Sequence, residues 1–190
     1  MPMGKENVRV LIPQEELERR IGELAEEINR DYSARENSDP LLCVGVLKGS
    51  VFLMVDLLKR LTIPVQVDFY QTSSYGSSMT AGEVRLRKDV DLSVRGKDVL
   101  LIEDIVDTGH TVRTVLGLLR FRGARSVRLC SLLDKVERRE VEVPIDYRGF
   151  EIENLFVVGY GLDFDERYRN LPYIGVLDPL GTEPDPPSPS

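Results

Sequence analysis

Apolar residues first recur at helical spacing near the start of the chain, where Leu17, Ile21, Leu24, Ala25 and Ile28 share one face of residues 14–31. Pro13 stands just before them, and Glu15, Glu16 and Glu18 fall in the first turn, where the helix dipole favours acids, so the spacing predicts an amphipathic helix. The pattern then changes. "LLCVGVL" (41–47) has the composition of a fully buried strand, and after the turn-like "KGS" the run "VFLMVDLLKRL" reads as a helix with Ser50 as its candidate cap. "VQVDFYQ" (65–71) alternates like a half-buried strand, whereas "TSSYGSSMTAGEVRLRKDVDLSVRGKD" (72–98) loses its large apolar residues and predicts a long mobile loop with room for a short hairpin. "DVLLIE" predicts another buried strand, "DIVDTG" a loop and "HTVRTVLGLLRF" a helix stopped by Gly123, before a strand at "SVRLCSLL".

Successive strand-loop-helix units predict an α/β fold with a mostly parallel sheet covered by helices, whose ligands sit at the carboxyl ends of the strands. "NLFVVGYGLD" (154–163) and "YIGVLD" (173–178) predict short strands of a separate lobe. The tail "GTEPDPPSPS" (181–190) has almost nothing to bury and is expected to be disordered.

A chain of 190 residues, 42% hydrophobic and 30% charged, suits one soluble domain. Its 25 basic and 32 acidic residues, formal net charge -7, argue against broad salt-driven binding to nucleic acid or an anionic membrane and favour a small ligand. Cys43 and Cys130 lie inside apolar stretches without metal-ligand spacing and read as buried free thiols. With no apolar signal core in the first thirty residues and no run near the roughly 18 apolar residues of a membrane span, a cytoplasmic location is expected.

The chemistry concentrates in "VLLIEDIVDTGHT" (99–111), which sets Glu103, Asp104 and Asp107 within five positions. Carboxylates that close repel one another and resist burial, so they call for a partner that is positive or carries hydroxyls and protons. Glu103 and Asp104 suit a magnesium ion or the hydroxyls of a sugar. Downstream, the backbone N–H groups of "DTGHT", the hydroxyls of Thr108 and Thr111 and the flexible Gly109 lie between a strand and a helix start, an arrangement that surrounds phosphate. The Walker spacing is absent, so ATP is not implied. A solvated loop with incidental acids is the plainer alternative for this segment alone.

This segment closely resembles the phosphoribosyl-pyrophosphate signature of type I phosphoribosyltransferases. The stretch from about Val8 to Leu180 resembles the bacterial hypoxanthine-guanine phosphoribosyltransferases, through "GVLKGS" (45–50), "TSSYG" (72–76), the signature, "LLDK" (132–135) and "FVVGYGLDF" (156–164) in that order. The resemblance implies one domain over 1–180, with a small hood lobe from the N-terminal and roughly 150–180 segments. It implies transfer of a 5-phosphoribosyl group from phosphoribosyl pyrophosphate to N9 of hypoxanthine or guanine, with Mg2+ as cofactor and a homodimer or homotetramer as assembly.

It also implies roles for individual residues. Leu47, Lys48 and Gly49 would form the pyrophosphate loop, with a Leu47-Lys48 peptide able to turn cis. Glu103 and Asp104 would face the ribose hydroxyls, directly or through magnesium. Asp107, Thr108, Gly109, His110 and Thr111 would form the 5-phosphate loop, Asp107 being also the proton acceptor near purine N7. His110, the only histidine, is expected to contribute its backbone N–H rather than its ring. Lys135 would donate to the purine 6-oxo group, Phe156 would stack on the base, and Val157 would read its edge. Asp163, beside the base, would approach a second magnesium, and Arg169 the pyrophosphate. Ser73, Ser74, Tyr75 and Gly76 would belong to a closing lid. Two other readings stand beside this one: a regulator that senses phosphoribosyl pyrophosphate and binds nucleic acid, and an enzyme preferring xanthine. The acidic balance and the intact lid and purine motifs speak against the regulator.

Overall fold

The computed structural model describes residues 8–35, 39–74 and 84–177, without the side chains of 72–74 and 84–86. In chain order the elements are β1 (Val8–Ile12), α1 (Gln14–Ser33), β2 (Leu41–Leu47), α2 (Val51–Leu58), β3 (Val65–Ser74), β4 (Val84–Lys88), β5 (Asp98–Val106), α3 (His110–Phe121), β6 (Ser126–Asp134), β7 (Tyr147–Glu151), β8 (Val157–Val158) and β9 (Ile174–Leu177). A short 3-10 turn, Val136–Arg138, follows β6.

Six strands form the main sheet in the order β4-β3-β2-β5-β6-β7, parallel except for β4. Its central strands are apolar on both faces because both are covered. Leu17, Leu24 and Ile28 of α1 and Leu53 and Met54 of α2 cluster with Cys43, Leu100, Ile102 and Cys130 on one side. On the other side Val112, Val115 and Leu119 of α3 cluster with Leu42, Val44, Leu101 and Leu129. Alternate residues of β2 and β5 thus enter opposite cores, as the two-residue period of a strand requires. Cys43 and Cys130 are buried free thiols, and burial pushes both up to about 12. Among the described residues no helix is long and apolar enough to cross a membrane.

The expected short strands at 154–163 and 173–178 appear as β8 and β9. They join β1 in a three-stranded antiparallel sheet of order β1-β9-β8. Its turn at 159–161 comes down backbone to backbone on the loop after β2, so closely that a Cβ on Gly161 would lie 2.1 Å from the Gly49 carbonyl oxygen. Tyr160 anchors this turn by donating its hydroxyl to Asp56 of α2 at 2.6 Å.

Three local expectations are corrected. The "DIVDTG" loop begins later than expected, because Ile105 and Val106 pair with Leu133 and Asp134 and carry β5 on to Val106. Ser50 does not cap α2 with its side chain: its backbone is already helical (φ -63°, ψ -13°), and its hydroxyl donates back to Val46 O at 2.7 Å. The strand expected at 65–71 continues to Ser74 and pairs antiparallel with β4, Ser73 opposite Arg85, so the short hairpin expected within 72–98 is present and the lid motif begins on its first arm. β1 and β7 were not foreseen. Tyr75 and Gly76 of the lid motif and the tail 181–190 lie outside the described residues.

Candidate active site

In the main sheet β2 and β5 are neighbours, yet the chain leaves β2 toward β3 on one side and leaves β5 toward β6 on the other. Open α/β sheets bind ligands at such a divergence, outside the carboxyl ends of the strands. The loops after β2, β5 and β6 meet there, and the 159–169 segment between β8 and β9 lies against the loop after β2.

The loop after β2 carries Lys48 and Gly49, and the Leu47-Lys48 peptide is cis. Gly49 is pressed against Asp104: a Cβ built on it would lie 1.5 Å from Asp104 Oδ2. Asp104 Oδ1 accepts the Ile105 N–H at 2.9 Å. Its neighbour Glu103 is 8% exposed, and Oε2 has no hydrogen-bond partner among the described residues. Burial pushes the Glu103 carboxyl well above its usual range, and the Asp104 charge adds to it. Burial likewise raises Asp104, outweighing the hydrogen bonds that favour its charged form. A buried acid with an orphaned oxygen and a partly buried one are thus held beside each other, a state that a cation or a set of hydroxyls would relieve.

Beyond them a cavity of about 240 Å³ is lined by Leu47, Glu103, Asp107, Thr108, Gly109 and Thr111 among others. Gly109 turns the chain into α3 at φ +91°, and a Cβ there would lie 2.7 Å from Val141 O, so glycine is required twice over. The helix has no side-chain cap and no acid in its first turn, which leaves its first N–H groups and positive dipole end to the cavity. The loop is held from behind, since Glu140 and Val141 both donate their N–H groups to Thr108 O. Arg139 donates to Asp107 O at 3.1 Å and pairs with the buried Asp134. Arg138 Nε lies 3.0 Å from Asp107 Oδ1, an ion pair without the angle of a hydrogen bond. The His110 ring points away to Glu140, at 2.8 Å.

Lys135 leaves the end of β6 with its N–H donated to Val106 O at 3.0 Å. It is 8% exposed, and no hydrogen bond or ion pair of its ammonium occurs among the described residues. Burial lowers its pKa, while the Asp107 charge pulls the other way. In the second sheet Val157 is buried opposite Val176. Phe156 is 53% exposed and meets Phe164 edge to face, with ring centroids 5.6 Å apart. Asp163 Oδ1 pairs with Arg169 at 2.7 Å, and Oδ2 accepts the Glu166 N–H at 2.9 Å. Arg169 donates to Gly161 O at 2.7 Å. Glu166 in turn takes Lys48 at 2.9 and 3.0 Å and Arg169 at 3.3 Å.

The fold therefore brings Leu47, Glu103, 105–109 and Thr111 around one cavity, sets Gly49 against Asp104 and Lys135 beside Val106 next to it, and brings Lys48 and Arg169 to one carboxylate. Asp163 stands with Arg169 rather than with Glu103 and Asp104; among the described residues no three His, Cys, Asp or Glu side chains gather as a metal site. Glu166, Arg138 and Arg139 were missed in the sequence. Glu166 and Lys48 are 118 positions apart, so no local spacing could have linked them.

The phosphoribosyl transferase domain family matches residues 11–165. The bifunctional protein TilS/HprT of Listeria monocytogenes is 51% identical over 90% of this chain, and the chain spans 26% of that relative's length. Hypoxanthine phosphoribosyltransferase of Haemophilus influenzae is 47% identical over 92% of this chain and 98% of its own. The crystal structure of a Bacillus anthracis hypoxanthine-guanine phosphoribosyltransferase superposes with a TM-score of 0.84 at 38% identity, covering 90% of this chain and all of that one. With the strand order, the acidic pair and the glycine turn of its signature loop in place, the chain belongs to the phosphoribosyl transferase family and, within it, to the hypoxanthine phosphoribosyltransferases.

Proposed function

We propose that the protein transfers the 5-phosphoribosyl group of phosphoribosyl pyrophosphate to N9 of hypoxanthine or guanine, giving the nucleotide and pyrophosphate. The observation that carries this reading is one cavity lined by the buried Glu103, with its orphaned oxygen, and by an uncapped helix start, with Asp104 adjoining Glu103 and the buried Lys135 hydrogen-bonded through its backbone to Val106 of the lining. Each wants a different part of the two substrates. The N–H groups at the start of α3, with Thr108 and Thr111, take the 5-phosphate. Glu103 and Asp104 take the ribose hydroxyls.

Magnesium fits the same acid pair, because Glu103 keeps an orphaned buried oxygen and Asp104 a second carboxylate beside it. Two protein carboxylates with substrate oxygens and water completing the shell are the usual manner of holding this ion. When bound it supplies positive charge near the ribose and leaving group. Asp163 is assigned to a second such ion.

Breaking the C1–O bond to pyrophosphate leaves positive charge on the ribose ring and negative charge on the leaving group. Lys48 and Arg169, with the backbone of the 47–49 loop, receive the departing pyrophosphate. Asp107, at the start of the phosphate loop and near enough for its charge to act on Lys135, accepts the proton that the base gives up at N7 as N9 bonds to C1. Lys135 donates to the 6-oxo oxygen, Phe156 covers the base and the Val157 backbone meets its edge.

Lys135 supplies the test of substrate class. An ammonium has three donors and no acceptor, so it satisfies an oxo group but only confronts the amino group of adenine. Losing a charge-assisted hydrogen bond costs roughly 1.5 to 3 kcal/mol, about ten- to over a hundredfold in kcat/KM. Lys135→Gln, which can also accept, should narrow the ratio of hypoxanthine to adenine by that order in initial-rate assays on each base. If both rates fall together at an unchanged ratio, Lys135 does not read the 6-position.

A further inference from the structure

Lys48 and Arg169 come from two different sheets' loops, and both are engaged by one carboxylate. We propose that Glu166 is an internal counter-anion that occupies the pyrophosphate-binding cations and must be displaced when a pyrophosphate-bearing ligand arrives. The inference rests on the assignment of Lys48 and Arg169 to pyrophosphate made above.

The turn that carries Glu166 is built to aim it. Asp163 Oδ2 accepts the Glu166 N–H, Phe164 and Arg167 bridge antiparallel, and Asp165, Glu166 and Tyr168 hold positive φ angles of 52°, 59° and 75°. Such conformations are uncommon for residues with side chains and persist where surrounding contacts impose them. The adjacent Asp165, in the same turn, points elsewhere: it is 80% exposed and meets Arg167 at 3.7 Å. With Asp163 also on Arg169, two cations face two carboxylates and the group is neutral. A carboxylate and a phosphate draw on the same ammonium and guanidinium donors, so both cannot hold Lys48 and Arg169 at once. A phosphate seated there would leave Glu166 against like charge, and the side chain, 64% exposed, has room in solvent to leave. The same contact re-forms as pyrophosphate departs. Glu166 is thus a positioning residue that holds the two cations ready while weakening both the pyrophosphate-bearing substrate and the product.

Binding of pyrophosphate in magnesium chloride, measured by titration calorimetry on the full chain, tests this with Glu166→Gln and Asp165→Asn. The second variant makes the same change in charge one residue away. Glu166→Gln should bind pyrophosphate about fivefold more tightly, the scale of an exposed ion pair, and lower the KM for phosphoribosyl pyrophosphate in step. The gain should shrink as salt is raised. Asp165→Asn should stay within about twofold of wild type, as a surface change without these contacts does. Unchanged or weaker binding by Glu166→Gln would overturn the proposal, as would equal tightening in Asp165→Asn, which would reduce the effect to net charge. A wild-type chain that binds no pyrophosphate would remove the assignment of Lys48 and Arg169 and the inference with it, an outcome distinct from a null difference between variants.

Discussion

Gly49→Ala is expected to lower kcat/KM for phosphoribosyl pyrophosphate by about a hundredfold, the scale on which a 1 Å displacement of reacting groups is felt, with the fold retained. A methyl group at position 49 would sit 1.5 Å from Asp104 Oδ2 and 2.5 Å from its Cγ. The obstacle is a side chain, so the chain can still fold by swinging Asp104 aside. That movement would take the carboxylate from Glu103 and from the ribose and magnesium assigned to the pair. The loss should therefore appear chiefly as weaker binding of phosphoribosyl pyrophosphate, with the far-ultraviolet spectrum and melting temperature near wild type. Initial rates across the concentration of that substrate measure it. Wild-type kinetics in this variant would mean that the acid pair does not act from the position it holds here.

Asp107→Asn should behave differently, lowering kcat by about a hundredfold to ten-thousandfold, the range for loss of a positioned proton acceptor, while the KM for phosphoribosyl pyrophosphate moves little. Asparagine keeps the shape of the side chain, and the loop around it is fixed by the backbone contacts of Thr108 O with Glu140 and Val141 and of Asp107 O with Arg139. What is lost is the charge and the capacity to take a proton. The ion pair with Arg138 is lost as well, but that guanidinium is half exposed, so its release into water costs little. Single-turnover rates with saturating substrates separate the chemical step from release. Unchanged turnover would return Asp107 to the architecture of the phosphate loop.

The elements that sequence pattern revealed are those whose stabilising contacts repeat along the chain. α1 and α3 each present an apolar face at helical spacing, and β2, β5 and β6 are continuous apolar runs because both faces of the sheet are covered. β1 and β7 carry no such signal. β1 is five residues long and pairs with β9, whose partner residues lie more than 160 positions away, as in Val8 opposite Leu177. β7, "YRGFE", has no continuous apolar run, and is a strand through pairing with β6 and through Arg20, whose Nε donates to Gly149 O at 3.2 Å. The lid motif looked like a loop because Thr72, Ser73 and Ser74 are polar, yet an edge hairpin needs only their backbone.

The site divides in the same way. The acids of 103–107 and the glycine turn at 109 are adjacent in sequence, so their crowding was legible as chemistry. That the strand runs past Glu103 through Asp104 to Val106 was not, since "DIVDTG" has a loop's composition. The hold of Glu166 on Lys48 and Arg169, and of Arg138 on Asp107, arises only when separate loops meet.

The central claim is tested most directly by incubating the purified protein with phosphoribosyl pyrophosphate, magnesium chloride and an equimolar mixture of hypoxanthine, guanine and adenine, and identifying the nucleotides by mass. The account predicts the hypoxanthine and guanine nucleotides, released pyrophosphate equal to their sum, and little adenine nucleotide. Adenine nucleotide as the main product, or no nucleotide at all, would contradict it.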